Sequence, residues 1–138
     1  MRDPKTTRDS MVIPSELNAA RAFEERVLRE VARHGYSEAA MFAIRLALEE
    51  GLNNAIKHGN RGDPKKKITV DCDVDADRAT ITICDEGAGF DPARVPDPTA
   101  DENLEKPSGR GLMLMKAYMD EVRYNDRGNQ VFLMKRNT

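Results

Sequence analysis

Apolar residues recur with the period of an α-helix in three stretches of the chain. The first stretch begins after Ser15, a predicted N-cap, and ends at Gly35. Its predicted buried face consists of Leu17, Ala20, Val27, Leu28 and Val31. The second begins after Ser37 and continues to about His58, and the third is a short helix over residues 111–119. The predicted buried stripe of the second helix consists of Met41, Ile44, Leu48, Leu52 and Ala55.

Two further stretches, residues 68–74 and 79–83, alternate apolar with polar positions, which predicts an antiparallel hairpin with one buried face. To bury the apolar side chains together, even-numbered positions of the first strand must pair with odd-numbered positions of the second. Cys72 and Cys84 are then on opposite faces of the sheet and cannot form a disulfide.

Three more strands are predicted by short apolar runs, near residues 11–13, 122–124 and 131–135. The predicted order is strand, two helices, two strands, a loop, a helix and two strands. This order predicts an α+β fold in which one mixed or antiparallel sheet carries about three helices on one face. A chain of 138 residues fits one domain, so we expect a single domain over residues 1–138.

Composition and charge exclude several classes of function. The 22 basic and 24 acidic side chains give a net charge of −2, too small for a field that binds nucleic acid non-specifically. No apolar run approaches the roughly 18 residues of a membrane span, and the first ten residues lack the apolar core of a secretory signal. We therefore expect a cytoplasmic protein without direct contacts to membrane or nucleic acid.

Candidate chemistry begins on the second helix, where Glu50 and Asn54 are one turn apart on one face. By themselves they also fit a solvated helix face. A second motif, Asp85-Glu-Gly87-Ala-Gly89, directly follows a predicted strand. Its glycines permit close backbone approach to a flat ligand, and its carboxylate can accept a hydrogen bond from an exocyclic amine. A tight turn alone explains this motif about as well.

The third motif, Gly109-Arg110-Gly111-Leu112, opens the third predicted helix. Backbone N–H groups at a helix N-terminus form an anion site that suits phosphate. Between the second and third motifs, residues 90–108 have no apolar period and contain four of the seven prolines. A structureless segment of this length between two glycine motifs predicts a lid.

Together, E-x-x-x-N-A-x-x-x-G, D-x-G-x-G, a lid and G-x-G-L resemble the GHKL ATP-binding superfamily, which has the Bergerat fold. Within it, the chain is most similar to the small bacterial anti-sigma factor serine kinases. The resemblance covers almost the whole chain and implies a two-layer α/β sandwich that binds ATP and Mg²⁺, with residues 90–108 as the ATP lid. The P-loop motif and the H-R-D and D-F-G motifs of eukaryotic kinases do not occur in the sequence.

The resemblance also implies roles for the residues of the first two motifs. Glu50 would act as general base on the attacking hydroxyl, and Asn54 would ligate Mg²⁺ through its amide oxygen. Asp85 would bind the adenine amino group, Gly87 would let the base lie against the backbone, and Gly89 would be a hinge of the lid.

In the third motif, Gly109 and Gly111 would present backbone amides to the phosphates, and Leu112 completes the motif. Lys106 and Arg110 are cations beside this loop that would stabilise transferring charge, although either also fits a solvated surface position. Relatives often have a threonine in the adenine pocket at the start of the last strand. Here Asn129 and Gln130 are the candidates to replace it.

The implied function is phosphorylation of a serine on an anti-anti-sigma (STAS) partner, alternating with sequestration of a sigma factor. The resemblance also implies a homodimer. A non-catalytic module, in which ATP only sets the conformation of a partner-binding surface, is the alternative, and a stand-alone ATPase fragment is a third reading. Histidine kinases generally carry asparagine at the position of Glu50, so this glutamate favours the serine kinase.

Overall fold

The computed structural model describes residues 7–87 and 109–138, so the predicted lid at 90–108 lies outside the described residues. Within these ranges the chain forms five strands, three α-helices and one π-helix, in the predicted order. The elements are β1 Thr7–Pro14, α1 Leu17–Arg33, α2 Glu38–Asn53, the π-helix Asn54–Gly59, β2 Lys67–Val74, β3 Arg78–Asp85, α3 Gly109–Tyr118, β4 Glu121–Tyr124 and β5 Gln130–Arg136. None of these helices is long and apolar enough to cross a membrane.

The strands form one sheet in the order β1-β2-β3-β5-β4, and every neighbouring pair is antiparallel. The buried strand residues lie in register on a single face, as in the row Val70, Ile83 and Val131. Helices α1 and α2 pack on the sheet, and α2 also contacts α3. The predicted α+β fold is therefore confirmed, with an antiparallel sheet.

The register of the β2–β3 hairpin follows the predicted parity. Val70 is opposite Ile83, and Cys72 is opposite Ile81. Cys72 is buried in the core, whereas Cys84 is on the other face of the sheet, and both thiols are free. The predicted placement of the two cysteines on opposite faces of the sheet is confirmed.

Helix α2 comes close to the sheet at Gly51. A Cβ atom at this position would lie 3.0 Å from Cδ1 of Ile83, and the side chains of Val131 and Leu133 are 3.8 and 3.9 Å away. The missing side chain lets the C-terminal half of α2 approach β3 and β5. This close contact determines where the neighbouring Glu50 lies relative to the strand ends.

Two details at the start of α1 differ from the prediction. The N-cap position is occupied by Glu16, without a capping side chain, and Ser15 is buried instead. The N–H of Ser15 donates to the carbonyl oxygen of Lys66 at 3.2 Å, so this residue still belongs to the pairing of β1 with β2. The helix therefore starts one residue later than predicted, and Leu17 is 47% exposed rather than in the core.

Candidate functional site

The second helix changes from α to π geometry at Asn54. The N–H of Asn60 donates to the carbonyl oxygen of Ala55 at 2.8 Å, an i→i+5 bond. The apolar period predicted one continuous helix here. The π-helix follows α2 without a break, so the sequence pattern does not reveal the change of geometry. Short π-helical turns inside helices occur frequently at functional sites. The turn begins at the residue that the sequence analysis assigned to Mg²⁺.

Asp85 is the last residue of β3. Its Oδ1 accepts the N–H of Gly87 at 2.7 Å, and its own N–H donates to the carbonyl oxygen of Asn129 at 2.9 Å. Burial raises the pKa of the Asp85 carboxyl above its ordinary value, whereas the Gly87 N–H and the charges of Lys66 and Arg127 lower it. The carboxylate is thus oriented by the backbone of the motif to which it belongs.

Two glycines allow this turn to lie directly on the π-helix. A Cβ atom on Gly87 would lie 2.5 Å from the carbonyl carbon of Gly59 and 2.8 Å from its Cα, and a Cβ atom on Gly59 would overlap the Asp85 carboxylate. Separations under 3.0 Å essentially never occur at real Cβ atoms. Gly59 ends the first motif, but the sequence analysis did not identify it as a site residue.

Asn60 joins the π-helix to the same turn, and the sequence analysis missed it. Its side chain is fully buried, its Nδ2 donates to the carbonyl oxygen of Lys67 at 3.1 Å, and its Oδ1 accepts the N–H of Glu86 at 2.9 Å. A polar residue just after a predicted helix end looks like an ordinary loop residue in the sequence, so no local signal distinguishes it.

Glu50 lies against the first turn of α3. A Cβ atom on Gly111 would overlap Oε2 of the Glu50 carboxylate. The structure therefore brings the carboxylate of the first motif to the helix N-terminus of the third motif, 61 residues later in the sequence. This arrangement places a proton acceptor beside backbone amides that are suited to bind phosphate.

Tyr124, at the end of β4, connects these groups and was also missed. Its side chain lies within hydrogen-bonding reach of the Asn54 amide. Burial raises the pKa of the Tyr124 hydroxyl, the Asn54 amide lowers it, and the charges of Asp85 and Glu50 raise it further. The Tyr124 hydroxyl is therefore close enough to the carboxylates of Glu50 and Asp85 for both charges to affect its pKa.

The residues present fit a magnesium ion that is held mainly by phosphates. Nδ2 of Asn54 is buried and has no partner of hydrogen-bonding geometry among the described residues, and the same amide carries an oxygen of the kind that Mg²⁺ prefers. The described ranges contain no group of three or more His, Cys, Asp or Glu side chains that could hold a metal. Mg²⁺ commonly uses one or two protein oxygens and completes its octahedron with substrate phosphates and water.

The other predicted site residues have different placements. Gly109 and Arg110 form the first residues of α3, whereas Gly89 and Lys106 lie outside the described residues. The side chain of Leu112 is in the hydrophobic core, so its backbone is the part available to a ligand.

Of the two candidates at the start of the last strand, Asn129 is the one that contacts Asp85. Its Nδ2 donates to the carbonyl oxygen of Asp85 at 3.5 Å, in addition to the backbone bond described above. The side chain of Asn129 also accepts a hydrogen bond from Nδ2 of Asn125 at 2.8 Å. Gln130, the other candidate, is exposed and its backbone N–H donates to Oδ1 of Asn125.

Comparison with known proteins identifies similar sequences. The profile of the histidine kinase-like ATPase domain matches residues 13–135. An anti-sigma F factor of Halalkalibacterium halodurans is 36% identical over 101 residues, which cover 69% of this chain and 68% of that protein. An anti-sigma F factor of Oceanobacillus iheyensis is 34% identical over 98 residues, covering 67% and 66% of the two chains.

A serine-protein kinase RsbW of Listeria innocua is 29% identical over 114 residues, covering 75% of this chain and 71% of that protein. Among solved structures, the RsbU and RsbW domains of Rv1364c from Mycobacterium tuberculosis match with a TM-score of 0.64 at 18% identity, over 95% of this chain and 31% of the other. The chain thus spans about two thirds of the length of these curated relatives and about a third of the chain in that solved structure, and the structural match supports the fold.

Proposed function

The chain belongs to the histidine kinase-like ATPase domain family, and from that premise we propose that it is an ATP-dependent protein serine kinase. Its substrate would be an anti-anti-sigma protein with a STAS domain, and it would alternate between phosphorylating that partner and sequestering a sigma factor. The observation that carries the proposal is the contact between the Glu50 carboxylate and the N-terminus of α3 at Gly111. A carboxylate at this place can accept the proton of an attacking hydroxyl, which is a step of phosphoryl transfer and not of nucleotide binding.

Adenine recognition rests on Asp85. Its carboxylate accepts a hydrogen bond from the adenine amino group, and its orientation is maintained by the Gly87 N–H and by the Asn129 backbone. The packing of Gly87 on Gly59, together with the Asn60 side chain, holds the turn against the π-helix. The contacts that hold Asp85 at the adenine end of the site therefore come from the protein itself and do not depend on nucleotide.

Phosphoryl transfer takes place between Glu50 and the first turn of α3. Glu50 accepts the proton of the partner serine as its oxygen attacks the γ-phosphorus, and ADP leaves with the electrons of the broken bond. The amides of Gly109 and Gly111 donate to phosphate oxygens. Asn54 would hold Mg²⁺, which neutralises phosphate charge when it is bound.

Two substitutions on one helix turn test this proposal. Asn54→Ala should remove the magnesium-dependent part of ATP affinity, measured by calorimetry with and without Mg²⁺. Glu50→Ala should keep ATP affinity within a few-fold and slow transfer from labelled ATP to a STAS partner by about 10²–10⁴.

The control is Glu38→Ala, which removes an exposed carboxylate in the first turn of α2, at the opposite end of that helix from Glu50. It should transfer phosphate at a rate close to that of the unaltered chain. Transfer at the wild-type rate by the Glu50 variant would show that this residue is not the base. If the unaltered chain binds ATP but phosphorylates no STAS partner, it is a nucleotide-controlled binding module instead.

A further inference from the structure

A groove of about 260 Å³ lies between α1 and α2, and the kinase mechanism does not use it. One side of it is apolar, and the remaining lining consists of charged and amide side chains. The lining residues are Leu17, Ala20, Arg21, Glu24, Glu49, Leu52 and Asn53. Apart from Leu17 and Ala20, which lay on the predicted apolar face of α1, and Leu52, which lay in the predicted stripe of α2, the sequence analysis assigned these residues no role.

Glu24 is the unusual member of this lining. It is only 9% exposed, and its Oε1 is buried without a hydrogen-bond partner among the described residues. A buried carboxylate oxygen without a donor is costly, because the lost hydration is not replaced. Arg21 lines the same groove and does not supply that donor.

A second carboxylate beside Glu24 adds negative charge and supplies no donor while it is ionised. Glu49, on α2, lies within hydrogen-bonding reach of Glu24. Two carboxyl groups can form a hydrogen bond with each other only while one of them holds a proton. The pKa of Glu24 is raised to about 7, mainly by burial and then by the charge and hydrogen bond of Glu49. Of the smaller contributions, the charge of Arg45 lowers this pKa and the charge of Glu25 raises it. The charge of Arg45 acts on the pair, but no cation among the described residues donates a hydrogen bond to Oε1 of Glu24.

We propose that this groove binds a lysine or arginine side chain of a partner protein. The charged head would lie between Glu24 and Glu49, with the amide of Asn53 as a further acceptor. The aliphatic stem would lie on Leu17, which is 47% exposed, and on Ala20 and Leu52. Long basic side chains have this combination of an apolar stem and a hydrogen-bonding cation.

The lining favours a protein side chain over a bare metal ion. No group of three or more potential metal ligands exists in the parts of the chain that the structure describes. A metal ion would also leave the apolar side of the groove without a contact. A guanidinium, in contrast, can donate to both carboxylates at once in a planar arrangement.

The position of the groove connects it to phosphoryl transfer. Glu49 and Asn53 directly precede Glu50 and Asn54 on the same helix, so a partner docked here would be beside the site of transfer. That the partner is the phosphorylated protein rests on the proposed function. The cation site itself does not, and it can be tested without nucleotide.

The test uses the full chain and N-acetyl-arginine methylamide as the probe, with the neutral N-acetyl-citrulline methylamide as its isosteric control. Carboxyl ¹³C resonances of the glutamates are followed by NMR during each titration. We expect the arginine probe to shift the resonances of Glu24 and Glu49 with a dissociation constant of about 1–10 mM, typical of a single side chain. The citrulline probe should leave them unchanged.

Variants separate this site from general attraction to an acidic surface. Glu24→Gln and Glu49→Gln should each raise the dissociation constant of the arginine probe by about tenfold or more. Glu25→Gln, the matched control, removes an exposed carboxylate next to Glu24 and should bind as the unaltered chain does. Affinity should also rise between pH 6 and 8 in the unaltered chain, because the pair loses its proton there, and this rise should be absent from Glu24→Gln.

Several results would overturn the proposal. Equal binding of citrulline and arginine, equal binding by Glu24→Gln, or carboxyl shifts produced by Mg²⁺ but not by arginine would each do so. An ATP titration of the same samples tests the nucleotide site separately, so loss of one does not imply loss of the other.

Discussion

Replacing Asn60 should damage both the fold and the nucleotide site, because one buried amide joins three elements. Its two hydrogen bonds reach the carbonyl oxygen of Lys67 at the start of β2 and the N–H of Glu86 in the turn after β3. Asn60→Ala removes both bonds at once and leaves a small space where the amide was. The turn that carries Asp85 then loses its connection to the π-helix.

The magnitude follows from the two partners that are left behind. An unsatisfied buried polar group costs about 1–3 kcal/mol, and Asn60→Ala creates two of them. Lys67 and Glu86 are themselves exposed residues, so water recovers part of the loss. We therefore expect the free energy of unfolding to fall by about 2–3 kcal/mol, together with a loss of ATP affinity.

Urea denaturation and ATP calorimetry measure the two effects. Asn60→Asp is the informative companion, since it keeps the acceptor for Glu86 but turns a carboxylate oxygen toward the Lys67 carbonyl. It should be destabilised at pH 7 and recover as the pH falls, because a protonated carboxyl can donate. Asn18→Ala, exposed on α1, is the control and should change stability by about 0.5 kcal/mol or less. An Asn60→Ala protein as stable as this control would refute the reasoning.

Three further substitutions have defined outcomes. Gly87→Ala should lower the free energy of unfolding by about 1–3 kcal/mol, seen in thermal melts, because the new methyl group meets the backbone of Gly59, which cannot give way as a side chain can; an unchanged melt would contradict that contact. Asp85→Asn should lower ATP affinity by about tenfold or more and reduce discrimination against GTP, both measured by competition binding. Unchanged selectivity between ATP and GTP would exclude Asp85 from adenine recognition. The raised pKa of Glu24, about 7 against an ordinary 4.5, means that stability falls as pH rises between these values. Glu24→Gln should remove this fall in the free energy of unfolding, which is at most roughly 3 kcal/mol and is measured by denaturation at pH 5 and pH 8. A Glu24→Gln protein with the same pH dependence as the unaltered chain would contradict the raised pKa.

Much of the fold could be predicted from the sequence because the helices carry a period of about 3.6 residues and the β2–β3 hairpin a period of two. Alternation in the β2–β3 hairpin determined which side chains face the helices, and with it the pairing of Val70 with Ile83 and the separation of Cys72 from Cys84. The order of elements followed from the same patterns. Periodicity acts within a few residues, so it is visible in the chain itself.

The candidate site was predictable as far as its motifs are local. The spacing of Glu50 and Asn54 places them on one helix face, and glycines next to Asp85 indicate a close backbone approach. The resemblance implied that Glu50 and Gly111 serve one ATP site, but their direct contact is visible only in the structure.

Only the tertiary structure decided the features that depend on distant partners. Ser15 is drawn into the sheet by the carbonyl oxygen of Lys66, which delays α1 and exposes Leu17. Asn60 and Tyr124 have roles only because β2, the turn after β3 and the π-helix meet around them. A hydrogen bond between residues far apart in the chain leaves no period in the sequence, so these contacts become visible only when the elements are packed together.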